Sequence, residues 1–138
     1  MGRVIAIGNQ KGGVAKTTTC LSLAACLAEL GKMVLLIDLD PQANLTLSLG
    51  ITPQTLRRTV SDAILHNTSL VSVSRETDVM GLDIVPANMG LAAIDKVLYQ
   101  CQGYETYLKD ALDELDPELY DYVVLDCAPS FGPLMLNA

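Results

Sequence analysis

Apolar residues in this chain fall into short runs that alternate with longer stretches of helical character. The runs of strand length, rich in Val, Ile and Leu, occupy residues 4–7, 33–37, 82–85 and 122–125. Helical composition and spacing follow over residues 17–30, 91–99 and 105–115. Strands that alternate with helices predict an α/β fold, in which a parallel sheet is flanked by helices.

The remaining segments carry weaker signals. We predict a short helix over residues 43–49 and another over residues 62–65 with Ser61 as its N-cap, and assign nothing from there to residue 80. No repeat or linker divides the chain, which predicts a single domain over residues 1–138. The chain stops where a helix should pack on the fourth strand, and a four-stranded sheet would leave an apolar edge uncovered. We therefore interpret the domain as the N-terminal part of a longer one, with an incomplete sheet.

Composition and charge exclude several functions. Half of the 138 residues are apolar and 18% are charged, which rules out disorder as the main state. The net charge of -7 has the wrong sign for a surface that binds nucleic acid broadly, so we interpret the Arg57-Arg58 doublet as ordinary surface charge. No apolar run reaches the ~18 residues that cross a bilayer, and no export signal is visible.

Four cysteines are spread along the chain without the spacing of a metal site. They are Cys20, Cys26, Cys101 and Cys127. No second histidine is present to complete a zinc-binding set. We interpret the cysteines as small buried thiols in a reducing compartment, which predicts a cytoplasmic protein.

A loop with two glycines joins the first predicted strand to the first predicted helix. It reads QKGGVAKTT over residues 10–18. In this setting consecutive backbone N–H groups, the helix N-terminus and Lys16 would form a cradle for phosphate. The strict G-x-x-x-x-G-K-[ST] pattern fails because Gln10 and Ala15 occupy its two glycine positions. The loop alone therefore leaves open a Gly-Gly turn before an ordinary helix.

Acidic residues follow two of the predicted strands. Asp38 and Asp40 come after the second strand, and Asp126 comes after the fourth. The carboxyl ends of parallel strands converge on the crevice where ligands bind. An acid in the place of Asp126 can hold Mg²⁺ through water while Thr17 ligates the ion directly. For Asp38 we favour a helix cap or a solvated turn.

Three segments together resemble a known family. KGGVAKTT (residues 11–18), DLDPQAN (residues 38–44) and YDYVVLDCAPS (residues 120–130) resemble the deviant Walker A, switch I and Walker B segments of the ParA/Soj family of partition ATPases. The DLDPQAN segment is the most specific of the three. MinD-like ATPases share the lysine-rich loop but differ after the second strand.

The resemblance implies a fold and a set of site residues. The fold is that of a P-loop NTPase. Lys16 would hold the β and γ phosphates, and Asp40 would orient the attacking water. Lys11 would reach the nucleotide of the partner subunit and, with Lys16 and Asp40, would be catalytic. The nucleotide-binding residues would be Lys11, Gly12, Gly13, Val14, Ala15, Lys16, Thr17 and Thr18. Thr17 would ligate Mg²⁺, and Asp126 would support the ion through water.

The resemblance also implies a Mg²⁺-dependent, weak ATPase that acts as an ATP-switched homodimer in chromosome or plasmid partitioning. A ParB-type protein would stimulate it. Longer relatives bind DNA non-specifically and associate with the nucleoid, which we do not expect of this segment. The alternatives are a non-catalytic P-loop module that acts by self-association, and a MinD-like positioning ATPase.

Ala15 is the main departure from the family pattern. At negative φ its methyl group would cost little, whereas at positive φ it would cost about 1 kcal/mol and crowd the phosphates.

Overall fold

A five-stranded sheet organises the part of the chain that the computed structural model describes, which is residues 3–8, 14–98, 100, 101, 103 and 106–127. The strands are β1 (Arg3–Ile7), β2 (Val34–Leu39), β3 (Arg75–Glu76), β4 (Leu82–Val85) and β5 (Tyr122–Cys127). Their order in the sheet is β1-β5-β2-β4-β3, and every pair is parallel except β3 with β4. The predicted α/β fold with a parallel sheet is confirmed. The antiparallel edge strand β3 was not predicted.

Helices connect and cover the strands. They are α1 (Val14–Glu29), α2 (Asn44–Ser48), α3 (Val60–Leu65), α4 (Leu70–Val73), α5 (Leu91–Leu98) and α6 (Tyr107–Asp113), and a 3-10 turn spans Pro53–Thr55. Helix α1 begins three residues before the predicted start at residue 17.

The N-terminus of α3 differs from the prediction. Thr59, and not Ser61, is the N-cap: its hydroxyl accepts a hydrogen bond from the Ser61 N–H at 3.2 Å. The Asp62 carboxylate accepts one from the Thr59 N–H at 2.8 Å, which completes a capping box. Thr59 and Ser61 are both residue types that cap helices. Only Thr59 is followed three positions later by an acid, Asp62, which is the pattern of a capping box.

The core lies on both faces of the sheet. Along β2, Leu35 and Ile37 pack into the cluster formed with α3, α5 and α6, whereas Val34 and Leu36 pack against α1 on the opposite face. All six residues of β2 are buried, as expected for a central parallel strand. The parallel pairing of β2 with β5 places the carboxyl ends of these two buried strands side by side.

Strand β1 forms the opposite edge of the sheet from β3. Three of its five residues are exposed, including the Val4 side chain, which is 40% exposed. The prediction of an uncovered apolar edge is therefore confirmed for the described residues.

The cysteines differ in burial. Cys20 and Cys127 are buried, but Cys26 is exposed and Cys101 is partly exposed. The expectation of four buried thiols is wrong for Cys26, because α1 turns this residue away from the sheet, and it holds only in part for Cys101. In the part of the chain described, no helix is long and apolar enough to cross a membrane.

Candidate functional site

Three acidic residues meet where β2 and β5 end. Asp38 and Asp126 are direct neighbours across the parallel strands, and Asp40 follows β2. Asp38 and Asp126 thus lie within their strands rather than after them. All three side chains are buried, with Asp38 and Asp126 fully inaccessible to solvent. Buried carboxylates need partners because burial disfavours charge.

The first turn of α1 supplies partners for Asp126. The Lys16 ammonium group forms an ion pair with Asp126 Oδ1 and lies 3.8 Å from Asp40 Oδ2. The Thr17 hydroxyl donates to Asp126 Oδ2 at 3.0 Å. Lys16 is only 8% exposed, and it stands between two carboxylates. Both oxygens of Asp126 therefore hold consecutive side chains at the helix N-terminus.

Asp38 is bound by a different set of donors. Its Oδ2 accepts hydrogen bonds from the Thr46 hydroxyl at 2.7 Å and the Thr46 N–H at 3.1 Å. The same hydroxyl accepts from the Ala87 N–H at 3.1 Å. The expected solvated turn is wrong: Asp38 is buried, and it satisfies a backbone donor of α2 from a neighbouring strand.

The segment after β2 is tightly shaped around Asp40. The Asp40 N–H donates to Asp38 Oδ1 at 3.1 Å, and Asp40 Oδ1 accepts from the Gln42 N–H at 3.0 Å. Ala43 closes the turn with its N–H on the Asp40 carbonyl, and it adopts a left-handed φ of 57°. That conformation costs an alanine about 1–2 kcal/mol. The surrounding contacts thus hold Asp40 in one position.

Ala15 lies within α1, where the backbone φ is negative. Among the described residues, the non-glycine positions with positive φ are Ala43 and Asn67. Ala15 therefore has the negative φ at which its methyl group adds little strain.

The structure brings together four of the predicted site residues: Lys16, Thr17, Asp40 and Asp126. Thr18 is exposed on α1 and takes no part in this cluster. Lys11, Gly12 and Gly13 lie outside the described residues, as does the side chain of Val14. Thr46 was missed by the sequence analysis. The one feature of the sequence that could have pointed to Thr46 is a polar residue between two leucines in a short apolar helix.

This donor set fits a phosphate and a magnesium ion. The first turn of α1 contains no acid, which leaves its N-terminal partial positive charge available to an anion. A hydroxyl and a carboxylate are hard oxygen ligands, and Mg²⁺ commonly takes one or two protein ligands and completes its shell with water and phosphate oxygens. Within the described residues no group of three His, Cys, Asp or Glu residues could hold a metal by itself.

Two thiols lie near this cluster. Burial raises the pKa of Cys20 to about 12, and the neighbouring Asp126 charge contributes to the increase. Burial likewise raises the pKa of Cys127 to about 11. Both thiols are therefore protonated at neutral pH.

The buried Asp38 carboxyl makes stability depend on pH. Burial raises its pKa from 3.8 to about 6, so the folded state binds this proton more tightly than the unfolded state does. Stability from this group is greatest at low pH and is lost as the pH rises through 6. We expect Asp38 to contribute a loss of about 1 kcal/mol between pH 5 and 7.

Urea unfolding at pH 5, 6 and 7 measures this loss, with Asp38→Asn as the comparison. The amide does not titrate, so the variant should be less stable overall but should lack this part of the pH slope. An identical slope in both proteins would contradict the assignment to Asp38.

The comparisons with known proteins agree with this geometry. A family model described as an AAA domain matches residues 2–138. Over 138 residues the chain is 44% identical to the sporulation initiation inhibitor protein Soj of Bacillus subtilis, covering 100% of the chain and 54% of Soj. It is 42% identical over 138 residues to the chromosome partitioning protein ParA of Myxococcus xanthus, covering 100% of the chain and 48% of ParA. The chain thus spans about half the length of the curated relatives it matches.

A solved structure extends the similarity to three dimensions. The crystal structure of a Mycobacterium smegmatis protein, described as cobyrinic acid a,c-diamide synthase with bound ADP and magnesium, matches with a TM-score of 0.94 and 47% identity. The match covers 99% of this chain and 55% of that chain. A second structure of the same protein contains an ATP analog and magnesium. From the family match and the relatives, the chain belongs to the AAA domain family, and its relatives there include the Soj and ParA proteins.

Proposed function

We propose that residues 1–138 form a single ATP-binding domain of a weak, Mg²⁺-dependent ATPase that works as an ATP-switched dimer in chromosome or plasmid partitioning. The observation that carries the proposal is the buried cluster of Lys16, Thr17, Asp40 and Asp126 at the N-terminus of α1. The names of Soj and ParA and the nucleotides bound to the M. smegmatis protein support it.

Each residue of the cluster has a role in this proposal. Lys16 binds the β and γ phosphates, and Thr17 ligates Mg²⁺ while Asp126 supports the ion through water. The ion neutralises charge on the phosphate oxygens. Asp126 contacts both Lys16 and Thr17, which places the two side chains next to each other at the N-terminus of α1. Asp40 orients the attacking water.

The flanking loop supplies the rest of the site. We propose that backbone N–H groups of the loop surround the phosphates, contributed by Gly12, Gly13, Val14, Ala15 and Thr18. Lys11 acts on the nucleotide of the partner subunit, where its charge stabilises the transition state. The negative φ of Ala15 is compatible with this cradle because its methyl group adds no backbone strain.

The proposed partners follow from charge and from relatives. The chain carries a net charge of -7, and residues 105–126 include a single base, Lys109. We therefore place non-specific DNA binding and nucleoid association outside this segment, in a cytoplasmic protein. A ParB-type protein is the proposed stimulating partner.

The dimer proposal predicts how hydrolysis depends on protein concentration. If two subunits must meet around ATP, the rate of phosphate release per molecule rises with protein concentration before it saturates. The assays contain ATP and Mg²⁺ alone, so they measure hydrolysis and not the amide synthesis that the name of the M. smegmatis protein denotes. A rate per molecule that stays constant over a roughly 100-fold range of protein concentration would contradict the dimer switch.

The exposed edge of β1 favours one alternative, which is self-association without nucleotide. Light scattering distinguishes the two functions. The ATP switch predicts a monomer without nucleotide and a dimer with Mg²⁺-ATP, whereas edge pairing predicts a dimer in both conditions.

A further inference from the structure

A second charged feature lies on the far edge of the sheet from β1. A surface cavity of about 560 Å³ opens between the end of the 3-10 turn, helix α4 and strand β3. Three arginines line it, together with three hydroxyl side chains: Arg57, Arg58, Arg75, Thr55, Ser72 and Ser74. Strand β3 is separated from β5 by β4 and β2, which at ~4.8 Å a strand is about 14 Å. The cavity is therefore distinct from the Lys16 cluster.

The charge of this cavity contrasts with that of the chain. It collects three of the nine Lys and Arg residues in a chain that has sixteen acids, yet no acid lines it. All three arginines are exposed. Within the described residues, the ion pairs involve Lys16 and Lys109 and none of these guanidinium groups. Three like charges around one cavity repel one another, and a bound anion would relieve that repulsion.

The lining indicates the chemistry of the anion. Guanidinium groups bind phosphoryl oxygens in a bidentate manner, and arginines from two separate segments line one space. The hydroxyls of Thr55, Ser72 and Ser74 donate to backbone carbonyls of their own turns, so the arginines are the groups that supply donors to an anion here. The volume lies within the ~300–1,000 Å³ range of small-molecule sites.

We propose that this cavity binds a compact phosphoryl polyanion, a small molecule that carries two or more linked phosphates. Three cations around one concave space match a ligand whose charges are close together. A nucleic acid spreads its charges along an extended backbone, so few of its phosphates could reach the three arginines of one small cavity. The proposal does not depend on the ATPase function, because neither the residues nor the cavity is shared with the Lys16 cluster.

Calorimetric titration with inorganic tripolyphosphate, without Mg²⁺ and at near-physiological salt, tests the proposal. The protein carries Lys16→Ala so that the first site does not contribute. We expect binding that weakens at least about 10-fold on adding Arg57→Ala or Arg75→Ala, since each removes a charge-assisted contact. The matched control Lys32→Ala removes an exposed charge from the segment between α1 and β2 and should change nothing.

A second measurement keeps the test valid if Lys16→Ala does not fold. Phenylglyoxal modification of the unaltered protein, read by mass spectrometry, should show that tripolyphosphate protects Arg57, Arg58 and Arg75 but leaves Arg3 reactive. Equal reactivity with and without tripolyphosphate would overturn the proposal. So would protection of these arginines by a short DNA duplex or an acidic peptide but not by tripolyphosphate, because the cavity would then serve a macromolecule.

Discussion

Replacing Lys16 with alanine is expected to weaken Mg²⁺-ATP binding by at least about 100-fold, which corresponds to about 2.7 kcal/mol. Among the described residues Lys16 is the one cation between Asp40 and Asp126. Without it, two buried carboxylates face the place where phosphates would bind, and their charge repels the ligand. Calorimetry on the variant and the unaltered protein measures the difference.

The same substitution also affects folding, so the controls must separate a loss of ATP affinity from a loss of stability. Removing Lys16 leaves Asp126 buried without its ionic partner, at a cost of about 3–5 kcal/mol. Lys16→Arg retains a positive charge for Asp126 and should fold better than Lys16→Ala while still binding ATP poorly, because the larger group does not fit the phosphate cradle. Lys32→Ala should bind like the unaltered protein. A folded Lys16→Ala variant with full affinity would place the nucleotide elsewhere.

The four parallel strands could be predicted from the sequence because each is a short apolar run. Such runs are needed in a strand that is buried on both faces of the sheet. Strand β3 could not be found in this way. It has two residues, Arg75 and Glu76, both exposed, and it exists only because β4 offers a free edge. Because β3 is a strand only through its pairing with β4, the local sequence contains no pattern that predicts it.

The site was predictable to the extent that it depends on strand ends. Lys16, Thr17 and Asp126 converge because a strand-loop-helix unit and a parallel neighbour leave no other arrangement. The role of Asp38 was not predictable, since its partner Thr46 lies eight residues away on α2, and the Thr46 hydroxyl in turn accepts from the Ala87 N–H, which lies beyond β4. Only the packed structure joins these three segments.

This network bears on the residue proposed to act on water. Asp38 fixes the backbone of Asp40, and the Gln42 N–H orients the Asp40 carboxylate. The left-handed Ala43 shows that the fold accepts strain to keep this turn. The backbone of Asp40 is thus fixed on both sides, and its carboxylate, oriented by the Gln42 N–H and 3.8 Å from Lys16, is suited to position a water molecule rather than to move with the ligand.

Asp40→Asn is therefore expected to lower the rate of ATP hydrolysis by about 100-fold while ATP affinity changes only a few-fold. The amide oxygen can still accept from the Gln42 N–H, so the turn should persist, but the neutral side chain no longer attracts a proton from water. Single-turnover phosphate release gives the rate, and calorimetry gives the affinity.

The matched control for this change is Asp113→Asn, which removes a carboxylate paired with Lys109 on the exposed face of α6. Hydrolysis by that variant should equal that of the unaltered protein. Unchanged hydrolysis by Asp40→Asn would limit Asp40 to a structural part in the turn. A loss of affinity with an unchanged single-turnover rate would instead make Asp40 a binding residue, because an interaction that is equally strong in the ground state and the transition state affects binding alone.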